Sequence, residues 1–242
     1  MILAVSKPVT RVLMTPRQQY ILSEIIEIYA RTAEPISSHM LTDKIEVSSA
    51  TIRADMAELE RLGYIAQPHT SAGRVPTDSG YRMYVNNVKI LQTDGRVNQA
   101  LARRVASAGE TDRAIKQAAE SLADITHNMG LATLSEGLVF TGLRNLFGQP
   151  EFSGSKAFEV ARLLDSLDEW LTEAAPRGRV SVYIGTENPI GRTSGATLVI
   201  ARFASPHSDS SYIGVLGSTR QNYARVMGLV DYAGRYLEEA LA

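Results

Sequence analysis

The chain has 242 residues, of which 44% are hydrophobic, and its 25 Lys+Arg against 26 Asp+Glu leave a net charge of −1. Such a composition excludes a mostly disordered, collagen-like or low-complexity protein, and at about 150 residues per domain the length allows one large domain or two small ones. The absence of Cys excludes a disulfide framework, an iron–sulfur cluster and a thiolate zinc site, and four scattered His (39, 69, 127, 207) suggest no metal cage, so no metal or cofactor is expected.

Residues 1–14 read as a flexible, loose basic arm: Lys7 and Arg11 meet no acid before Glu24. Ser6, Lys7, Pro8 and Arg11 break it too often for a signal segment, and no stretch reaches the ~18–20 apolar residues of a membrane span. A cytoplasmic protein that does not engage a membrane is expected.

From Thr15 to Val88 helix signals are dense. Thr15-Pro16-Arg17-Gln18 has an N-cap hydroxyl, Pro at N1 and Gln at N3, a capping box. The helix it opens places Ile21, Leu22, Ile25, Ile26 and Ile28/Tyr29 on one face, and Ala33-Glu34-Pro35 stops it. A second short helix starts at Ser37 or Ser38 and buries Met40, Leu41 and Ile45. After a turn at Glu46-Val47, Ser48 caps a third helix running to about Leu62, with Ile52, Met56, Leu59 and Leu62 inward and Gly63 as a left-handed C′ residue. Tyr64–Gln67 and Arg74-Val75 read as short strands around a turn at Ser71-Ala72-Gly73, and Thr77 caps a fourth helix with Tyr81, Tyr84, Val85 and Val88. Three helices followed by a small hairpin is the winged helix-turn-helix order, here over residues 15–88.

Residues 89–136 read as a helical linker or dimerisation segment. Ile115, Ala118, Leu122, Ile125 and Met129 form a seam at spacings of three and four, for the protein's own core or for a partner helix. Residues 137–242 read as a second domain: strands at 136–142, 180–184, 196–203 and 213–217, a helix from Ala157 to Ala174 that Ser155 caps, and a final helix that Thr219 caps. Helices on one face of the sheet are expected. The predicted fold class is therefore α+β, an N-terminal winged helix-turn-helix followed by an α/β sensor-like domain.

The third helix carries the chemistry. Ser49, Ala50, Thr51, Arg53 and Ala54 face away from its apolar stripe near its N-terminus, where a recognition helix meets the major groove. Ala50 and Thr51 suit thymine methyls, and Arg53 suits a guanine edge or a phosphate. Ser48 and Ser38, at the starts of the third and second helices, join this set. In the wing, Gln67–Arg74, His69, Ser71 and Arg74 are candidates for phosphate or minor-groove contact. Residues 1–90 hold 10 basic and 9 acidic side chains, so a basic surface must come from geometry, and a dimer is expected to supply affinity. The bland reading of each feature is a capped surface helix and a solvated hairpin. No acid/base or nucleophile constellation suggests an enzyme; Asp165, Asp168 and Glu169 read as a solvated helix face. Gly185-Thr186-Glu187-Asn188-Pro189 is a polar loop that either turns the chain or lines a ligand pocket.

Thr15–Gln18, Ser48–Glu60 and Leu62–Thr77 closely resemble the heat-inducible transcription repressors of the HrcA family. So do Gly142–Phe152, Ile184–Pro189, Tyr223–Met227 and Val230–Tyr232. These segments are spread along the chain from Thr15 to Tyr232. The resemblance implies a reduced GAF-like domain at 137–242, a homodimer, and binding to the CIRCE inverted repeat of double-stranded DNA upstream of chaperone operons. It also implies a GroEL-type chaperonin as modulator. The chain departs from the family in lacking the further dimerisation domain inserted in the GAF-like domain, and the strands that precede that insertion are not visible in the sequence. The arm before Met14 reads as an extension or as the result of an early start codon. Rival readings are a small-molecule-sensing winged-helix regulator with a different operator, motivated by the loop at 185–192, and a degraded paralogue that binds chaperonin or sister subunits without repressing.

Overall fold

A computed structural model describes residues 14–69, 72–89 and 93–242. The arm at 1–13 lies outside the described residues; Met14 is buried in the core.

The winged helix is built as its capping signals dictate. Helix α1 spans Pro16–Thr32, and its capping box closes with Gln18 N donating to Thr15 Oγ1 (3.2 Å) and Thr15 N to Gln18 Oε1 (2.9 Å). The second helix is a single 3-10 turn, Ser38–Leu41, ahead of α2 at Ser49–Arg61. Met40, expected inside, is exposed: one 3-10 turn buries one side chain, Leu41, and aims its neighbour outward. Strands β1 (Ile65–Ala66) and β2 (Val75–Pro76) pair antiparallel, Ile65 opposite Pro76, and α3 follows at Asp78–Asn87 with Thr77 as N-cap. Ile21, Ile25, Ile52, Leu59 and Ile65 are essentially inaccessible, so the stripes of α1 and α2 close on the hairpin.

The segment expected to link instead folds onto a sheet. Helices α4 (Gly95–Ala106) and α5 (Thr111–Thr126) pack together, and α5 lies on β3 (Met129–Leu134), a strand not read from the sequence. Ile115, Ala118 and Leu122 are fully buried there, so the seam serves the protein's own core. Met129, counted in that seam, belongs to β3, because His127 takes a left-handed conformation (φ 55°) and ends the helix.

Strand β3 pairs with β4 (Gly137–Thr141) and with β7 (Ser208–Ser218). Strand β6 (Ala196–Ser205) joins β7 to β5 (Val180–Ile184). The order β4-β3-β7-β6-β5 is antiparallel throughout. Helices cover both faces rather than one. Helix α8 (Tyr223–Leu241) joins α5 on one face, over Ala132, Val199, Ala201, Ile213 and Val215. Helix α7 (Ser155–Ala174), with the short α6 (Leu143–Phe147), covers Met129, Leu131, Leu198, Ile200 and Leu216 on the other. Residue parity sorts the faces: 198 and 200 go one way, 199 and 201 the other. Helix α7 starts after Gly154, with Ser155 as its first residue, and α8 is capped by Asn222, whose side chain accepts from Arg225 N at 3.0 Å, rather than by Thr219.

The two parts share one buried seam. Tyr81 of α3 packs on Tyr223 of α8, ring centroids 5.4 Å apart, and the Tyr81 hydroxyl is buried with no hydrogen-bond partner among the described residues. Burial pushes the Tyr81, Tyr84 and Tyr223 phenols above their ordinary value. A folded-state value raised above the unfolded one means stability that is whole below about pH 10 and is lost as pH climbs beyond it. Tyr81→Phe should therefore leave stability at pH 7.5 unchanged or raise it by up to about 1 kcal/mol, and flatten the alkaline fall. Urea unfolding at pH 7.5 and 10.5 checks this; a loss above about 2 kcal/mol at pH 7.5 would mean the hydroxyl is bonded.

Candidate nucleic-acid interface

Helix α2 presents the candidate face because its other side is committed. Ile52, Met56 and Leu59 point into the core together with Asp55, which is only 5% exposed. A buried carboxylate needs partners. Arg17 Nε donates to Asp55 Oδ2 at 2.6 Å, and Gln18 Nε2 to Oδ1 at 3.3 Å, so the first turn of α1 holds the middle of α2. Asp55 also raises the Arg17 guanidinium above its usual value, through their hydrogen bond first and their charge attraction second.

At the N-terminus Ser48 caps the helix, accepting from Thr51 N at 3.1 Å, and its hydroxyl lies 2.9 Å from that of Thr51. The hydroxyls of Ser38 and Ser49 lie 3.4 Å apart and tie the 3-10 turn to α2. Ser48, Ala50, Arg53, Ala54 and Ala57 are exposed, while Ser38, Ser49 and Thr51 are half-buried. Arg53 donates through Nε to Ser49 O (3.3 Å), which lays the side chain along the helix toward its N-terminus. Its other guanidinium N–H groups meet no partner among the described residues. The result is a short, small-residue surface with one cation, flanked by unsatisfied helix N–H groups that favour anions.

The wing stands beside this surface. Ile36 and Arg74 exchange backbone hydrogen bonds at 2.8 Å, an isolated antiparallel bridge next to β2. A Cβ on Gly73 would lie 2.5 Å from the Ile36 backbone, so only glycine permits that approach. Gln67 Nε2 donates to Ala72 O at 3.1 Å across the turn. His69 is exposed; Ser71 lies outside the described residues. Arg74 stands at the base of the wing rather than the tip. It is half-buried and paired with Glu60 (Nε–Oε2 3.0 Å, Nη2–Oε2 2.9 Å), so it fastens the wing to the second half of α2. Between wing and helix runs a cleft of about 370 Å³ lined by Ser37, Ser38, Arg53, Ala57, Ala72 and Arg74 among others. It gathers Ser38, Arg53 and Arg74, and adds Ser37 and Ala57, which sequence reasoning passed over; the spacing 50, 54, 57 was the available signal.

The polar loop after β5 is committed elsewhere. Asp78, the first residue of α3, accepts from Thr186 N and Thr186 Oγ1, both at 2.8 Å. Arg82, one turn on, donates to both carboxylate oxygens of Glu187 and to Val182 O. Residues 185–187 therefore dock the winged helix instead of lining a pocket. Among the described residues no group of three or more His, Asp or Glu could hold a metal ion, and no helix is long and apolar enough to cross a membrane.

A capped recognition helix, a β-hairpin wing and a helix-covered antiparallel sheet define a winged helix-turn-helix protein with an appended α+β domain. Two family models match it: the winged helix-turn-helix transcription repressor HrcA DNA-binding domain over residues 13–89, and the HrcA protein C-terminal domain over residues 82–227. The chain belongs to the HrcA family. It is similar to the heat-inducible transcription repressor HrcA of Caldanaerobacter subterraneus subsp. tengcongensis, 44% identical over 122 residues that make up 49% of this chain and 35% of that one. The HrcA of Geobacter sulfurreducens aligns over 340 positions at 24% identity, covering 94% of this chain and 98% of its own. About a third of those positions have no counterpart here. The chain spans about a third of the length of the first curated relatives it matches. One solved structure, described as a hypothetical protein at 2.2 Å resolution, has the same fold: TM-score 0.76 at 20% identity, over 95% of this chain and 99% of that one.

Proposed function

We propose that this protein is a sequence-specific, DNA-binding transcriptional repressor of heat-shock chaperone operons, acting on an inverted-repeat operator of the CIRCE type. The observation that carries the reading is the free N-terminal face of α2, with the Arg53 guanidinium beside the wing. Family membership supports the operator class and a regulator's role rather than an enzyme's. A homodimer follows from the operator's two-fold repeat, because one small domain with nearly balanced charge binds weakly alone. A GroEL-type chaperonin as modulator, and action in the cytoplasm, complete the proposal on the strength of the family resemblance. Ser48, Ser49, Ala50, Thr51 and Arg53 meet the major groove; Ser38, His69 and Ser71 contact the backbone; Arg74 holds the wing in place. The small-molecule-sensing alternative, drawn from the loop at 185–192, is less favoured, since Thr186 and Glu187 of that loop are held by Asp78 and Arg82.

The test is binding to a labelled duplex carrying the inverted repeat against a scrambled duplex at fixed salt. Arg53→Ala should weaken the repeat complex by about 1–3 kcal/mol, roughly 10- to 100-fold, and leave the scrambled complex nearly unchanged. Equal weakening on both would make Arg53 a phosphate contact. Equal, weak binding of the unaltered protein to both duplexes would overturn the repressor reading.

A further inference from the structure

A second cleft, of about 340 Å³, opens at the seam where the ends of α5 and β7 meet the start of α8 and the last turns of α1. Its volume is at the lower end of small-ligand sites. The chemistry of its wall is one-sided. Arg220, Arg225, His127, Asn128, Gln149 and Gln221 contribute to it, and among the described residues no acidic side chain lines it. Arg225 is exposed and forms no ion pair or side-chain hydrogen bond among the described residues. Arg220 is shared: Nε donates to Glu151 Oε1 at 2.6 Å, behind the wall, and Nη1 to Ala30 O of α1 at 3.3 Å.

The amides form a preorganised row. Asn128 Nδ2 donates to Gln221 Oε1 (3.1 Å), and Gln149 Nε2 donates to Asn128 Oδ1 (3.1 Å). Ser218 N donates to Gln149 Oε1 at 2.9 Å. Gln221 is 7% exposed, and its amide nitrogen lies near the Tyr223 hydroxyl. Helix α8 begins at the same place, and its 19 residues direct a positive dipole end at the cleft.

We propose that this cleft binds a small oxyanion, the carboxylate or phosphate group of a small polar molecule, with Arg225 as the principal charged contact. Arg220 places the site on the seam: an anion held there shares this guanidinium with the Ala30 carbonyl, so occupancy is felt at the end of α1, whose other end clamps α2 through Arg17 and Asp55. The inference stands apart from the DNA-binding reading, since binding is measured without DNA and either can fail alone.

Isothermal titration of the full chain with inorganic phosphate and with citrate, at ionic strength matched by chloride, tests it. At least one anion should bind with a Kd of about 1 mM or tighter. Arg225→Gln, at an exposed position, should weaken that binding about tenfold, while the control Arg162→Gln on α7 leaves it unchanged. The stronger of the two anions identifies the head group as phosphate or carboxylate. Absence of binding by both anions, or equal weakening by the two variants, overturns the proposal.

Discussion

Gly80→Ala is expected to dismantle the winged helix. Gly80 is the third residue of α3, and its N–H donates to the Thr77 Oγ1 cap at 3.1 Å. A Cβ there would lie 2.0 Å from the Tyr64 carbonyl oxygen, backbone that cannot swing away as a side-chain tip would. That oxygen already accepts from Thr77 N at 3.1 Å, which joins the start of α3 to the start of the wing. Relief of the overlap would have to break the cap, the Thr77–Tyr64 bond or the β1–β2 pairing. Overpacking a close contact costs about 1–3 kcal/mol, and loss of a helix cap about 1 more. The expected sum, about 3 kcal/mol, is a large share of a small domain's stability. Urea unfolding followed by circular dichroism measures it. Gly95→Ala is the control: it is also near a helix start, but among the described residues nothing lies within 4 Å of its added Cβ. A loss below about 1 kcal/mol for Gly80→Ala would show that α3 and the wing yield to each other easily.

The features that local chemistry specifies were legible in the sequence. Thr15 and Gln18, Ser48, and Thr77 each announce a helix start by a hydroxyl at the required offset, and the stripe 52, 56, 59 fixes which side of α2 is left free. Strand β3 was not legible for a physical reason. Met-Gly-Leu-Ala-Thr-Leu is buried on both faces, so it lacks alternation, and Met129 prolongs the three-and-four spacing of α5. Only the left-handed turn at His127 separates the two elements, and histidine is a weak signal for it. With β3 missing, the helices before it read as a linker and the sheet seemed covered on one side. The seam between the two parts was illegible in another way. Asp78 and Thr186 are 108 residues apart, as far beyond local pattern as any contact that topology alone creates. The loop at 185–187 showed its polarity in the sequence but not its partner. Arg74 showed its charge, and the structure supplied Glu60.

Cutting the seam should uncouple the two parts of the molecule. Arg82 is 30% exposed and Glu187 33%, so their ion pair alone is worth no more than about 1 kcal/mol. The pair does not act alone. Glu187 also accepts from Ile184 N at 3.1 Å, Arg82 donates to Val182 O, and Asp78 binds Thr186 through two hydrogen bonds beside it. At about 1 kcal/mol for each net hydrogen bond, Asp78→Ala with Arg82→Ala should remove about 2–4 kcal/mol of coupling, while Tyr81–Tyr223 packing remains. Scanning calorimetry should then resolve two transitions where the unaltered protein shows one, the earlier belonging to the winged helix. A single transition with a lowered midpoint would mean that the aromatic contact and Arg220 suffice to hold the parts together. On the proposed reading of an inverted repeat by a dimer, a consequence for DNA follows. An inverted repeat is read by two heads at a fixed separation, so a head free to pivot keeps its contacts to one half-site but loses the spacing. The double variant should therefore discriminate less between the natural repeat and one with its half-sites moved apart by a few base pairs, while binding an isolated half-site as before. Unchanged spacing preference in a protein that melts in two steps would show that the dimer contact, not this seam, sets the pose of the recognition helices.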